Sequence, residues 1–97
     1  MACDIELNYC HVSGPEDAFL KAKSTLEAIK NEGKIPVPVS FDYDESHGKI
    51  SGTGKGFKVY LEFYEKNAHV YLDLSLMLRP MKSKIVSMIE KALKDHL

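Results

Sequence analysis

In the segment from Ala68 to Leu97, the spacing of apolar residues changes from that of a strand to that of a helix, with almost no connecting residues. Apolar residues first recur at every second position, which is the spacing of a strand with one buried face. These residues are Val70, Leu72, Leu74, Leu76 and Leu78. Pro80 suits a first helical position, and apolar residues after it recur at three- and four-residue steps. These are Met81, Ile85, Met88, Ile89 and Ala92. The pattern predicts a last strand that packs against a last helix.

The N-terminal half has the same order of strand and then helix. Residues 3–11 alternate, with Ile5, Leu7 and Tyr9 on one face, as in a strand with one face toward water. Ser13 and Glu16 have the spacing of a capping box. A helix over about residues 14 to 32 is therefore predicted, with the glycine at position 33 as its stop residue.

Two alternating segments in the middle of the chain, residues 39–44 and 57–63, predict two further strands. Residues 45–48 are expected to form a turn, and prolines at 36 and 38 exclude a helix or a central strand there. Three glycines between 49 and 56 weaken strand propensity, so we expect a bulge or a close backbone approach.

The predicted fold is a single α+β domain over residues 1–97, a two-layer sandwich with the element order β-α-β-β-β-α. The sheet is expected to be antiparallel, with both helices side by side on one face. The chain of 97 residues is long enough for one hydrophobic core.

Composition restricts the classes of partner and compartment. A net charge of −1 argues against a protein that binds nucleic acid through bulk electrostatics. No apolar run approaches the roughly 20 residues of a membrane span, and Asp4 and Glu6 interrupt the place of a signal peptide. In one strand, Cys3 and Cys10 would lie about 23 Å apart, so they cannot pair, and unpaired thiols fit a reducing compartment. We expect a cytoplasmic protein without a transmembrane segment.

No residue pattern predicts a catalytic, metal or cofactor site. Gly52 to Gly56 lacks the spacing of a phosphate-binding loop, and the four histidines lack the paired spacing of zinc ligands. Cys10 and His69 could meet across two strands as nucleophile and base, but nothing local indicates an activated thiol. The sequence therefore predicts a protein that is not an enzyme and holds no cofactor.

Aromatic and charged residues on the outward positions of the last two strands are the candidate interaction site. These are Tyr60, Glu62, Tyr64, Tyr71 and Asp73. Cross-strand aromatic pairing alone could explain them. Tyrosine-rich exposed faces are also typical of protein interfaces, which predicts a homodimer or another protein partner.

The last helix has a second apolar edge formed by Val86, Leu93 and Leu97, and its polar positions are mostly lysine. Burial of the helix on more than one side would explain an apolar surface of this width. A surface for a partner or an apolar granule is the alternative. The alternative function to an interacting protein is a carrier that holds a small apolar, fatty-acid-like ligand between the sheet and this helix.

Several segments resemble one small bacterial family, the polyhydroxyalkanoic acid system proteins, also called polyhydroxyalkanoate granule region proteins. The segments are Gly48-Lys49-Ile50, Gly54-Lys55-Gly56, the run LSLMLRPMK at 74–82, and Ile85 with Ile89-Glu90-Lys91-Ala92-Leu93. The N-terminal half is similar in outline, with a short strand, His11 near its end, Gly14, and an alanine-containing helix. The resemblance implies a gene near polyester synthesis and granule genes in some bacteria, and it brings no catalytic residues.

Overall fold

A computed structural model describes residues 4–35 and 38–97, and its helices and strands follow the predicted order with one additional strand. Within this part of the chain an antiparallel sheet of five strands carries two α-helices, so the predicted α+β class is confirmed. The elements are β1 (Ile5–Asn8), α1 (Pro15–Asn31), β2 (Val39–Asp44), β3 (Lys49–Gly54), β4 (Phe57–Phe63), β5 (Asn67–Leu74) and α2 (Lys82–Lys94).

The strands lie in the order β1-β5-β4-β3-β2, and each neighbouring pair is antiparallel. β1 returns to pair with β5, so the last strand lies inside the sheet and not at its edge. In the described residues, the sheet has one inner face toward the helices and one outer face without a helix on it.

The pairing of β4 with β5 builds the centre of the core. Phe57 lies opposite Leu74, and Leu61 lies opposite Val70, and all four side chains are buried on the inner face. α1 contacts β3, β4 and β5, whereas α2 contacts β1 and also α1. One hydrophobic cluster joins the inner face to both helices, which places the two helices on the same side as predicted.

β3 is a regular strand, which adds one strand to the predicted order. Its residues pair without interruption with β2 on one side and with β4 on the other, so no bulge forms. The predicted close approach is confirmed at Gly52, which lies between Phe41 and Val59. A Cβ atom there would lie 2.7 Å from side-chain carbons of both neighbours. The glycine supports the strand because it leaves room for these two side chains.

The helix α1 ends as predicted and begins differently. Gly14, not Ser13, is the N-cap, and no side chain caps the helix, so the predicted capping box is wrong. Pro15 occupies the first turn and fixes the start one residue later. Gly33 adopts a φ of +70°, and Lys34 N–H donates to the Ile29 carbonyl at 3.1 Å, which completes a Schellman motif.

The strand predicted through residue 78 stops at Leu74, which is the main correction. The Ser75 carbonyl accepts hydrogen bonds from Leu78 N–H and Arg79 N–H, both at 3.0 Å, and these bonds turn the chain. Leu76 is 77% exposed and Met77 is 88% exposed, although the alternation had placed the first in the core.

The helix α2 also begins later than predicted. Arg79–Met81 forms a short 3-10 turn that contains Pro80, and Met81 is 39% exposed where a core position was expected. The buried stripe of the helix consists of Ile85, Ile89 and Leu93. Leu93 thus belongs to the core stripe and not to a second edge.

The edge strand β1 is tied to α2 at both ends. Asp4 accepts a hydrogen bond from Leu72 N–H at 2.6 Å and forms an ion pair with Lys82 at 3.2 Å. At the other end, Cys10 N–H and His11 N–H donate to the Leu97 carbonyl at 2.6 and 2.7 Å. The main chain of residues 10 and 11 therefore holds the residues that follow α2 in place.

Replacing Gly52 with alanine is expected to lower the free energy of unfolding by about 1–3 kcal/mol, because the new Cβ overpacks the contact between β2 and β4. Urea unfolding measures the change. Gly14→Ala is the matched control, since no atom lies within 4 Å of its added Cβ, and it should cost no more than about 1 kcal/mol. Equal losses in the two variants would contradict this role of Gly52.

Candidate interaction surface on the outer sheet face

The outer face of the sheet is the candidate site, and the strand register fixes which of its side chains are neighbours. Tyr60 lies opposite Tyr71, and Glu62 lies opposite His69. Asp73 lies opposite Lys58 in the same register. The five residues predicted from sequence, Tyr60, Glu62, Tyr64, Tyr71 and Asp73, thus come together on β4 and β5 or directly beside them.

A pair of tyrosine rings forms the centre of this surface. The ring centroids of Tyr60 and Tyr71 are 6.1 Å apart, and the ring planes are tilted by 54°. Both side chains are partly exposed. This distance lies within the range at which aromatic pairs attract each other, so the pair stabilises the sheet and also presents a rigid apolar area to solvent.

A second aromatic contact lies one step along the strands. Tyr64 follows β4 directly, and its ring centroid lies 4.9 Å from that of His69 in an edge-on arrangement. The hydroxyl of Tyr9 donates to the Tyr64 carbonyl at 2.7 Å, which anchors the main chain at this position. His69 Nε2 also lies 3.6 Å from a carboxylate oxygen of Glu6 on the edge strand.

Charged residues of both signs surround the two aromatic contacts. Lys49 on β3 lies opposite Glu62, and its ammonium donates a hydrogen bond to the Tyr60 hydroxyl, which raises the pKa of Lys49 and keeps the lysine charged. Partial burial and the nearby Glu62 carboxylate raise the pKa of Tyr64, which keeps its hydroxyl neutral. The surface therefore combines neutral phenols with fixed charges of alternating sign.

Sequence reasoning missed the contributions of Lys49 and Glu6 to this site. These two residues lie on β3 and β1, and only the strand order β1-β5-β4-β3 shows that they adjoin the strands that carry the tyrosines. Lys58 and His69 share the outward positions of β4 and β5 with the tyrosines, as the alternation along each strand predicts.

The other sequence candidates for chemistry lie apart from each other. Cys10 is exposed and follows the end of β1, whereas His69 lies between Glu6 and Glu62, so the sheet does not set this thiol opposite this imidazole. Within the described part of the chain no group of three or more His, Cys, Asp or Glu side chains could hold a metal ion. Cys3 lies outside the described residues.

An additional hydrogen-bonded group, which the sequence reasoning missed, lies at the turn between β2 and β3. Asp44 Oδ2 lies 2.8 Å from His47 Nδ1, and Ser46 Oγ donates to Asp44 Oδ1 at 2.9 Å. These contacts lower the pKa of Asp44, first through the Ser46 hydroxyl and then through His47. Because Asp44 also accepts from His47 N–H, the group caps a short 3-10 turn, and its function is structural.

The helix side of the sheet offers shallow depressions. One of about 260 Å³ lies between α1 and α2, lined by Ile29, Met88 and Ala92 with charged side chains at its rim. The α2 side chains that face the sheet, Ile85, Ile89 and Leu93, are almost completely buried against it. These three side chains are part of the protein's own core and fill the side of α2 that faces the sheet.

The pKa of Tyr64 provides a test of this electrostatic arrangement. Glu62→Gln removes the negative charge that disfavours ionisation, so the pKa of Tyr64 is expected to fall toward its ordinary value and to remain above it because of burial. NMR titration of the tyrosine ring resonances, assigned with Tyr64→Phe, measures this shift. Glu90→Gln on α2 is the control. An unchanged Tyr64 titration in Glu62→Gln would contradict the arrangement.

Comparisons with known proteins identify a family and no individual relative. A family model described as "Putative polyhydroxyalkanoic acid system protein" matches residues 5–97, and the chain therefore belongs to this family. The family associates the chain with polyhydroxyalkanoate systems. No curated protein and no solved structure matches it. None of the described helices is both long enough and apolar enough to cross a membrane.

Proposed function

We propose that this member of the family is a non-enzymatic, cytoplasmic accessory protein of polyhydroxyalkanoate systems that associates with a second copy of itself through the outer sheet face. The observation that supports the proposal most strongly is the partly exposed Tyr60–Tyr71 pair, surrounded by charges of both signs. Aromatic side chains are enriched at protein interfaces because they bury a large area at little cost in conformational entropy.

The order of charges on this face suits two identical copies. A two-fold axis parallel to the strands, midway between β4 and β5, sets each position on β4 against its register partner on β5 of the other copy. Tyr60 then meets Tyr71, and Lys58 meets Asp73, because these residues are register partners within one copy. One strand further out, Lys49 on β3 of one copy meets Glu6 on β1 of the other. The reason is that Glu6 pairs with His69 on one side of the central strands and Lys49 pairs with Glu62 on the other side.

The size of the face indicates how strong this association is. Five strands about 4.8 Å apart and about 20 Å long project an area of roughly 500 Å². A stable interface of standard size buries about 800 Å² on each partner. We therefore expect a weak dimer that forms as the protein concentration rises and dissociates on dilution.

The carrier hypothesis has less support than association. It requires space between the sheet and α2, yet Ile85, Ile89 and Leu93 fill the side of α2 that faces the sheet. Native mass spectrometry separates the two proposals, because a carrier purified from its host gains the mass of a small ligand, whereas an associating protein gains the mass of a second chain.

An enzymatic role for Cys10 is the remaining alternative. In the proposed function Cys10 has no catalytic role. Its side chain is exposed, and its N–H holds the Leu97 carbonyl. Alkylation of Cys10 is therefore expected to leave self-association unchanged.

A charge swap tests the proposed dimer. Lys58→Glu and Asp73→Lys each place like charges against each other twice in the dimer, so each is expected to raise the dissociation constant at least about fivefold. The double variant restores opposite charges and should restore the dissociation constant of the original protein. Sedimentation equilibrium measures these constants, and thermal unfolding checks that each variant is folded.

Lys21→Glu, on the exposed side of α1, is the matched control and should leave the dissociation constant unchanged. A monomer at concentrations on the order of 1 mM, or a double variant no better than the single ones, would contradict the proposal.

A further inference from the structure

The loop between β5 and α2 holds most of the exposed large hydrophobic side chains of the described chain. Among the described residues five large hydrophobic side chains are exposed, and three of them, Leu76, Met77 and Met81, lie within this loop. The other two, Leu20 and Tyr64, lie on separate elements. A cluster of this kind on a small protein usually marks a contact with a partner or an interface.

The charge around this loop is positive in a chain whose net charge is −1. The residues between Asp73 and Glu90 include Arg79, Lys82 and Lys84 and no acidic residue. The first turn of α2 thus carries lysines and no acidic residue, although the helix dipole favours acidic residues there. The stability of the helix therefore does not explain the lysines in its first turn, whereas binding to an anionic partner explains them.

A depression at the base of the loop lies beside these charges. It has a volume of about 380 Å³ and is lined by Arg79 and Lys82 together with Leu72, Asp73 and Leu74. Asp4 already balances Lys82 through the 3.2 Å ion pair. No ion pair within the described residues involves Arg79 or Lys84, so both remain able to meet an anion from outside.

The loop is also held rigidly. Ser75 N–H donates to the Gly56 carbonyl at 2.8 Å, and Ser75 lies so close to Gly56 that a Cβ atom there would lie 2.5 Å from the serine hydroxyl oxygen. The Leu78 side chain packs against the core, which fixes the far side of the turn. Leu76 and Met77 are therefore exposed on a fixed support at one end of the sheet.

We propose that this loop, residues 75–81, docks the protein on an anionic phospholipid surface. Leu76 and Met77 enter the outer acyl region, while Arg79, Lys84 and the depression beside Arg79 meet the phosphate groups. Apolar side chains flanked by basic ones are the pattern of segments that lie in a membrane interface without crossing it. The inference does not require the proposed dimer, since the loop lies at the end of the sheet. Asp73 belongs both to the depression and to the outer face.

The absence of tryptophan from the chain permits a direct test. Met77→Trp places a single fluorophore at the loop, and Leu20→Trp places one at an exposed position on α1 as the matched control. With vesicles of equal parts phosphatidylglycerol and phosphatidylcholine, the emission of Met77→Trp should shift to shorter wavelength and be quenched by brominated acyl chains. Leu20→Trp should show neither effect.

Vesicle flotation of the unlabelled protein tests the two contributions separately. Leu76→Ser combined with Met77→Ser should lower the partition coefficient at least about tenfold, because two apolar side chains no longer enter the interface. Arg79→Gln combined with Lys84→Gln should lower it about 25-fold, at about fivefold for each charge lost. Lys21→Gln combined with Lys30→Gln is the control of equal charge and should have little effect.

Lipid composition and salt distinguish this mode of binding from others. Vesicles of phosphatidylcholine alone should bind weakly, and binding to the anionic vesicles should fall as added salt shortens the screening length from about 10 Å to about 3 Å. Equal binding to both lipid compositions, no binding to either, or full binding by the Leu76→Ser, Met77→Ser variant would overturn the proposal. A wavelength shift of Met77→Trp that depends on protein concentration without vesicles would also overturn it, because the loop would then contact a second copy.

Discussion

The register between β4 and β5 determines both faces of this protein. Because side chains alternate along each strand, one alignment sets Phe57, Val59 and Leu61 toward the helices and sets Lys58, Tyr60 and Glu62 toward solvent. A slip of one residue would exchange the two sets and bury a lysine and a glutamate in the core. The hydrophobic core and the tyrosine surface therefore depend on the same hydrogen bonds.

The strands that follow strict alternation could be predicted to the residue. The bounds of β2 and β4 match the prediction because each contains alternating apolar side chains between recognisable turns. β3 was missed as a regular strand because glycine has low strand propensity, and only its two neighbours show that Gly52 makes room for Phe41 and Val59. Tertiary pairing overcame local preference there.

The end of β5 was predicted four residues too far for the opposite reason. Alternation continues in sequence to Leu78, but the hydrogen bonds of Ser75 reverse the chain before Leu76 is reached. For the candidate site, a short turn sufficed to predict that Tyr60 and Tyr71 lie on neighbouring strands. The contributions of Glu6 and Lys49 could not be predicted, because they depend on β1 returning to pair with β5.

The fold separates three environments on a small chain. The inner face and both helices form the core, the outer face presents tyrosines and fixed charges, and one end of the sheet presents the apolar, basic loop. The exposed side chains of these two regions can change without altering the core, because they do not belong to the buried cluster, whereas Leu78 of the loop packs against it. The proposed dimer and the proposed lipid contact therefore use different regions of the surface.

The most direct test of association through the outer face is a dilution series followed by amide NMR. As protein concentration rises, chemical shifts are expected to change at the outward positions of β4 and β5, centred on Tyr60 and Tyr71, and to stay constant on α1. Shifts that do not change with concentration, or that change on the helices and not on the outer face, would contradict it.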